Sequence, residues 1–357
     1  MMLYLPLRIN LGSWILDHFL PTGKIKPEFL KDIIQRAPVF DNRIVLGPGI
    51  GLDCGVIDGG DRYLVMKTDP ITFATEEIGW YAVQISANDI ATTGAKPEWM
   101  MITALLPEKS TTEQLILEIT DQIYQAAAEI NISLVNAHTE ITVDLNRPIL
   151  ICSLIGEAEK SRLITPRGLR PGNELLLTKG IPIEGTALLS KEFPNFLKEV
   201  LSEDELTKAK AFTHFPGIGV TKDAQIALQN GTVTGMHDPT EGGLASALWE
   251  FSTASGYALE IDPERILIPE LSAKICKRFH LNPLNTIASG ALLLSVEAQD
   301  SEKIIHALEK ADIPCSKIGI VTDRREVSVL DIKNKSLLPC PEQDEITKVF
   351  ENKNRLF

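Results

Sequence analysis

Two stretches of the chain pass from an apolar strand pattern to helical spacing, and both carry acids at the change. In the first, Met66 to Pro97, the apolar run Tyr63-Leu64-Val65-Met66 predicts a short strand, with Asp69 after it where a strand end holds a carboxylate rigidly. From Glu76 onward Ile78, Ala82, Val83, Ile85 and Ile90 fall near helical periodicity, with acids in the first turn and Gly94 and Pro97 past the end. Asn88 and Asp89 interrupt that apolar face. They are either an outward-facing polar pair or an acidic spot aimed at something bound between helix and sheet.

In chain order, residues 22–37 predict a surface helix with Phe29, Leu30, Ile33 and Ile34 on one side. Arg43 to Gly60 reads as a strand, a Gly/Pro loop and a second strand near Val56 that Asp53 enters. Glycines at 47, 49, 51 and 55 let backbone amides approach a ligand, or simply turn a hairpin. Trp99 to Leu105 predicts a strand, Thr111 to Asn131 a helix, Ile132 to Val135 a strand followed by the polar run 136–140, and Arg147 to Ile155 another strand. This order fits an α+β sandwich of helices on a mixed sheet better than a doubly wound one. His138 in the polar run is a hydrogen-bonded loop histidine or a ligand.

A boundary falls near residues 157–172, rich in charge, proline and glycine. Beyond it come a strand (Glu174 to Thr178), a Gly-rich segment, an acidic helical region to about residue 210, a helix over 217–230 and a strand over Val233 to Met236. Gly242-Gly243 then lead into a helix that buries Leu244, Leu248 and Phe251. Asp238 and Thr240 precede its N-terminus, where free amides favour an anion; either residue could equally be an N-cap. A strand over 286–296, a helix over 301–311, a last strand over Ile318 to Thr322 and a polar tail complete the chain. The expected division is 1–160, 161–345 and a tail over 346–357.

A hydrophobic fraction of 44% supplies two cores over 357 residues. The net charge of −13, with no long Lys/Arg run, disfavours nucleic acid and acidic membranes but not a nucleotide accompanied by a divalent cation. The five cysteines, Cys54, Cys152, Cys276, Cys315 and Cys340, are scattered without CxxC spacing, which indicates neither a disulfide framework nor zinc and suits a reducing cytoplasm. Cys54 beside Asp53 is a small buried filler or a reactive thiol. The apolar N-terminus contains Pro6, Arg8 and Asp17 and reads as folded structure, and no uncharged apolar run reaches the roughly 18 to 20 residues of a membrane span. Asp53, Asp69, Asp89, Asp238 and Glu140 sit beside small residues at strand ends or helix faces. Hard oxygen donors with a glycine-rich backbone are what Mg²⁺-nucleotide binding requires.

The loop Gly51-Leu52-Asp53-Cys54-Gly55-Val56, Lys67-Thr68-Asp69, the helix Ile85-Ser86-Ala87-Asn88-Asp89-Ile90-Ala91 ending Thr93-Gly94-Ala95-Lys96-Pro97, and His237-Asp238-Pro239-Thr240-Glu241-Gly242-Gly243-Leu244-Ala245 together resemble the aminoimidazole ribonucleotide synthetase-related (PurM-like) superfamily. The match runs in order from about Asp41 to Thr322. It is nearest to the hydrogenase-maturation branch, HypE, which Ile183-Glu184-Gly185-Thr186-Ala187 and Ser289-Gly290-Ala291-Leu292-Leu293 also resemble.

The resemblance implies a two-domain α+β/α/β fold: an N-terminal mixed-sheet domain that forms a homodimer through its sheet, and a C-terminal α/β domain, with ATP and Mg²⁺ in the cleft between them. Carried onto this sequence, it makes Asp53, Asp69 and Asp238 catalytic. Asp53, Asp69, Asp89, Asp238 and Glu140 become metal ligands, and Gly51, Asn88, Thr139, Thr240, Gly242 and Gly243 become nucleotide contacts. The implied activity is ATP hydrolysis or γ-phosphoryl transfer to a small acceptor. The alternatives are a small-molecule kinase resembling thiamine-monophosphate kinase, or a non-catalytic nucleotide-binding maturation or regulatory protein with a partner.

The pattern has departures. The family's Gly-Asp-Thr is Ala137-His138-Thr139 here, and Thr-Arg-Gly-Gly is Thr240-Glu241-Gly242-Gly243. The cysteine that ends HypE is replaced by Asn352-Lys353-Asn354-Arg355-Leu356-Phe357, with Cys340 well inside, so standard thiocyanate chemistry is not expected. The catalytic Cys or Sec with Lys of selenophosphate synthetase has only Lys24 as a counterpart, and that reads as a surface lysine.

Overall fold

The computed structural model describes residues 25, 27–49, 52–72, 74 and 76–351. The first half runs α1 (Pro27–Ile34), β1 (Ile44–Leu46), β2 (Gly55–Asp58), β3 (Arg62–Ile71), α2 (Ile78–Thr92), β4 (Lys96–Pro107), α3 (Glu113–Glu129), β5 (Ser133–Thr142) and β6 (Ile149–Glu159). Its sheet has the order β1-β2-β3-β6-β4-β5. Within it only β4 and β5 pair in parallel, and α3 is the crossover that such a pair needs.

The second half runs β7 (Glu174–Thr178), α4 (Ile183–Glu192), α5 (Pro194–Leu197), α6 (Glu203–Lys210), α7 (Thr221–Asn230), β8 (Val233–His237), α8 (Gly243–Ser255) and β9 (Leu259–Ile261). It continues with α9 (Glu270–Phe279), β10 (Leu293–Val296), α10 (Ala298–Glu309), β11 (Cys315–Val321), β12 (Val329–Asp331), β13 (Ser336–Leu337) and α11 (Glu345–Glu351). These strands form a second mixed sheet ordered β13-β12-β9-β11-β7-β10-β8.

The structure adds β9, α9, β12 and β13 to the elements expected from the sequence, and β3, β5 and the end of the chain differ from it. β3 does not stop at Met66: its pairing with β6 continues from Arg62↔Glu159 to Ile71↔Leu150, so Asp69 lies inside the strand opposite Cys152. The ladder keeps Lys67, Thr68 and Asp69 extended despite their polarity. β5 likewise continues through the polar run, paired with β4 as far as Pro107↔Thr142. Residues 345–351 form α11 rather than part of a tail. There Ile346 and Val349 are buried and the Phe350 ring meets Phe193 edge-on at 5.4 Å.

The first sheet buries one face. Val65 and Ile71 of β3, Leu150, Cys152 and Leu154 of β6, and Met100, Ile102, Ala104 and Leu106 of β4 alternate toward α2. α2 rests on β3 and β6, with α3 and, from the second half, α7 against its other sides. Enclosed in this way, every residue of α2 except Trp80 is buried, where the sequence suggested a single apolar stripe. Gly156 permits the close seating, because a Cβ there would stand 2.5 Å from Ile90 Cγ2. The opposite face of the sheet carries Trp99 and Met101 of β4, each more than a third exposed.

Polar ties join the halves through α2, the Asn88 one buried. Asn88 Nδ2 donates to Ile218 O at 2.8 Å, and Val220 N–H donates to Asn88 Oδ1 at 2.8 Å. At the start of α2, Glu77 is paired with Lys191 and His214, and the Trp80 ring lies 4.4 Å from His214. Asn88→Ala strands a buried carbonyl and a buried N–H together. Its expected cost is about 2–4 kcal/mol of unfolding free energy, seen as a lower urea midpoint at unchanged m-value; an unchanged midpoint would show that the tie contributes nothing.

Candidate active site

Period-two alternation along β3 puts Lys67 and Asp69 on the face that α2 covers, and α2 turns Asp89 toward them. Lys67 Nζ lies 2.8 Å from Asp89 Oδ2 and 3.9 Å from Asp69 Oδ1. The second half contributes the end of β8. His237 Nδ1 stands 3.3 Å from Asp53 Oδ2, its Nε2 is paired with Glu250 of α8, and its ring stacks on Phe251. Asp238 follows, completely buried. Asp53, Asp69, Asp89 and Asp238, separated by up to 185 positions in the sequence, thus act on one another within one site.

The charges there do not balance. Burial pushes the Asp89 carboxyl well above its ordinary range; Lys67 pulls it down, and Asp238, Asp53 and Asp69 push it further up. Burial raises Asp238 to about 6, with His237 opposing and Asp53 adding to the rise. Burial alone would discharge His237, but Asp53 and Glu250 outweigh it and hold the imidazole at about 9, so it is a cation at neutral pH. The Lys67 ammonium is stabilised in the same way by Asp89, Asp69 and Asp53 against its burial.

Both carboxylate oxygens of Asp238 are buried without a hydrogen-bond partner among the described residues. Such orphaned hard oxygens suit a divalent cation. Among the described residues no three acidic, histidine or cysteine side chains already enclose a point where a metal would sit. An ion held here by one or two of Asp53, Asp69, Asp89 and Asp238 would complete its shell with phosphate oxygens and water, as Mg²⁺ commonly does.

Other expected residues lie differently. Gly51 is outside the described residues. The Asn88 amide is consumed by Ile218 and Val220, so its place is between the halves rather than on a nucleotide. Thr139 and Glu140 lie apart from this cluster within the chain. β6 and β4 separate their strand from β3, so that they stand roughly 14 Å away by strand spacing. In addition, Glu140 pairs with Leu105, in a row that faces away from α2, where it meets His138 at 3.4 Å.

The N-terminus of α8 is also taken. Gly242 N–H donates to Asp344 Oδ2 at 2.6 Å and Gly243 N–H to Thr240 O at 2.9 Å, so the chain's own Asp344 side chain and a carbonyl meet these amides. Cys54 is the buried filler: its Sγ donates to Asp89 O at 3.3 Å, and burial drives its thiol pKa up.

Lys67, His237, Glu250 and Asp344 were missed as participants. Lys67 was accessible, because residues i and i+2 of a strand share a face. Glu250 and Asp344 arrive by tertiary packing and leave no local signal. A separate cleft of about 1450 Å³ runs between α2 and α7 and includes Trp80, Gln84, His214 and Lys222; its described lining contains none of the four aspartates.

The folded Asp238 carboxyl, at about 6, lies above its ordinary 3.8. Its protonation therefore favours the fold fully below about pH 4, and that contribution is lost as pH rises through 6. Asp238→Asn should melt a few degrees above the parent chain at pH 7–8, with the gap closing toward pH 4 in scanning fluorimetry. A gap independent of pH would contradict this charge assignment.

Comparison with known proteins agrees with this architecture. The chain matches the AIR synthase related protein family, its N-terminal domain over residues 51–158 and its C-terminal domain over 170–332. It is 26% identical to a putative hydrogenase expression/formation protein of Methanocaldococcus jannaschii, over 92% of this chain and 97% of that one. Among solved structures, a HypE–HypF complex superposes with TM-score 0.71 at 21% identity, covering 88% of this chain and 99% of that one. HypE in complex with ATP superposes with TM-score 0.66 at 21% identity, covering 88% and 90%. At these identities the structures establish a shared PurM-like fold, and the two family matches, which together take in most of the sequence, establish descent: the chain belongs to the AIR synthase-related family and is HypE-like within it.

Proposed function

We propose that the chain binds ATP with Mg²⁺ at the four-aspartate site and hydrolyses it, or transfers its γ-phosphoryl group to a small acceptor, as a HypE-like enzyme without the standard HypE thiocyanate chemistry. The observation that carries this reading is the meeting of Asp53, Asp69 and Asp89 with Asp238 of the other half, leaving buried carboxylate oxygens without partners. A similar fold, HypE, has been solved with ATP. Mg²⁺, when bound, neutralises phosphate charge and polarises the transferring group. The chain's own residues supply the rest: the aspartates hold the ion, Lys67 and His237 limit their mutual repulsion, and burial excludes bulk water.

The test is single-turnover release of γ-phosphate from ATP with Mg²⁺. The parent chain should form ADP, and Asp69→Asn should lower the rate at least about a hundredfold, as expected for loss of an electrostatic catalytic group. Binding of ATP without any ADP would eliminate the catalytic reading. A second reading, nucleotide-dependent capture of a maturation partner without turnover, has one observation in its favour. Asp89 belongs to the site while the adjacent Asn88 clasps the other half, so occupancy can be felt at the junction. A HypE–HypF complex supplies the precedent for a protein partner.

We also propose that the chain is a homodimer joined through the first sheet, whose exposed face carries Trp99 and Met101. Met101→Arg should convert the dimer to a monomer in light scattering at micromolar concentration. A parent chain that is monomeric there would refute the dimer.

A further inference from the structure

Lys67 stands where a site built only for metal ions would have no cation of its own. Its ammonium bridges Asp89 at 2.8 Å and Asp69 at 3.9 Å, and its side chain is 16% exposed. The position is fixed by the fold, because Lys67 pairs with Leu154 and lies between core residues Val65 and Ile71 on the same face of β3. A one-residue slip would turn that whole face outward. Asp69 and Asp89, from different elements, are the two carboxylates that a divalent ion at this point would need. Asp238 is the one whose two oxygens remain without a hydrogen-bond partner among the described residues.

We propose that Lys67 is a resident cation that takes the place of one divalent ion between Asp69 and Asp89, leaving the site to bind a single divalent ion with the nucleotide. This rests on the reading of the site as a Mg²⁺-nucleotide site and adds its metal stoichiometry. The ammonium belongs to a residue of the strand, so a chelator cannot remove it, and the Asp69–Asp89 pair keeps one compensating positive charge when no nucleotide is present. It also sets an upper limit on the ions that the four carboxylates can recruit.

The experiment is Mn²⁺ binding to the nucleotide-free full chain, followed by electron paramagnetic resonance and calorimetry, for the parent, Lys67→Met and Lys67→Arg. Removing a unit charge a few ångströms from two carboxylates should let Lys67→Met bind Mn²⁺ at least about tenfold more tightly, or bind one further ion per chain. Lys67→Arg, which keeps the charge, should behave as the parent does. Equal Mn²⁺ binding by the parent and a folded Lys67→Met overturns the proposal.

If Lys67→Met is unfolded alone but folds when Mn²⁺ is added, the ion has replaced the ammonium and the proposal stands. If it is unfolded with and without Mn²⁺, the proposal falls. With the non-hydrolysable analogue AMPPCP present, the parent should hold one Mn²⁺ per chain, and two or more would overturn the inference. A parent chain that fails to bind AMPPCP refutes the proposed function, and the nucleotide-free comparison still decides the role of Lys67.

Discussion

The structure depends on seating the Asp89 carboxyl inside a helix that has no exposed side, where burial disfavours its charge and Lys67 opposes that effect. Asp89 is carried by α2, which is enclosed by the first sheet, α3 and α7, so bulk water cannot solvate it. Desolvation of that kind costs several kcal/mol per ion unless a partner is at hand, and Lys67 is that partner. The strand register that delivers Lys67, the glycine at 156 that lets α2 settle, and the loop that brings Cys54 to the Asp89 carbonyl all serve this one placement. Asp238, reaching the same region from the second half, is eased by His237 and Lys67 but carries no ion pair as close as that of Asp89.

The site is therefore held together against its own repulsion. Two cations, Lys67 and the His237 imidazolium, face four aspartates, with Glu250 binding the far side of His237. The fold tolerates this because the carboxylates ride on elements fixed by other contacts: β3 by its long ladder with β6, and α2 by its core and by the Asn88 clasp. A ligand that brings positive charge removes the repulsion and gains stability as it binds. Such linkage is the common price of a preorganised polyanion site.

The sequence revealed the four aspartates because each sat beside a recognisable element change, and the two-domain fold because its motifs occur in order. It misplaced what depends on pairing over distance. Asp69 was set beyond its strand, since a Lys-Thr-Asp-Pro run has no strand propensity of its own and is extended only by the β6 ladder. Thr139 and Glu140 were drawn into the site because they follow an apolar run. Strand order, which a single sequence does not display, puts β6 and β4 between them and Asp69. Asn88, adjacent to Asp89 on the helix, bonds the second half through Ile218 and Val220, a contact that the sequence alone does not display.

Gly242 finds the acceptor for its amide 102 positions later, in Asp344 at the entrance to α11. During synthesis on the ribosome, α8 can coil before Asp344 exists, and before the later strands that cover Leu248 and Phe251. Its first turn then presents an uncommitted positive end to whatever anion the cell offers. The closing helix is thus the stitch that turns a receptive nascent surface into a finished one, and its late arrival makes the order of translation part of how this lobe matures.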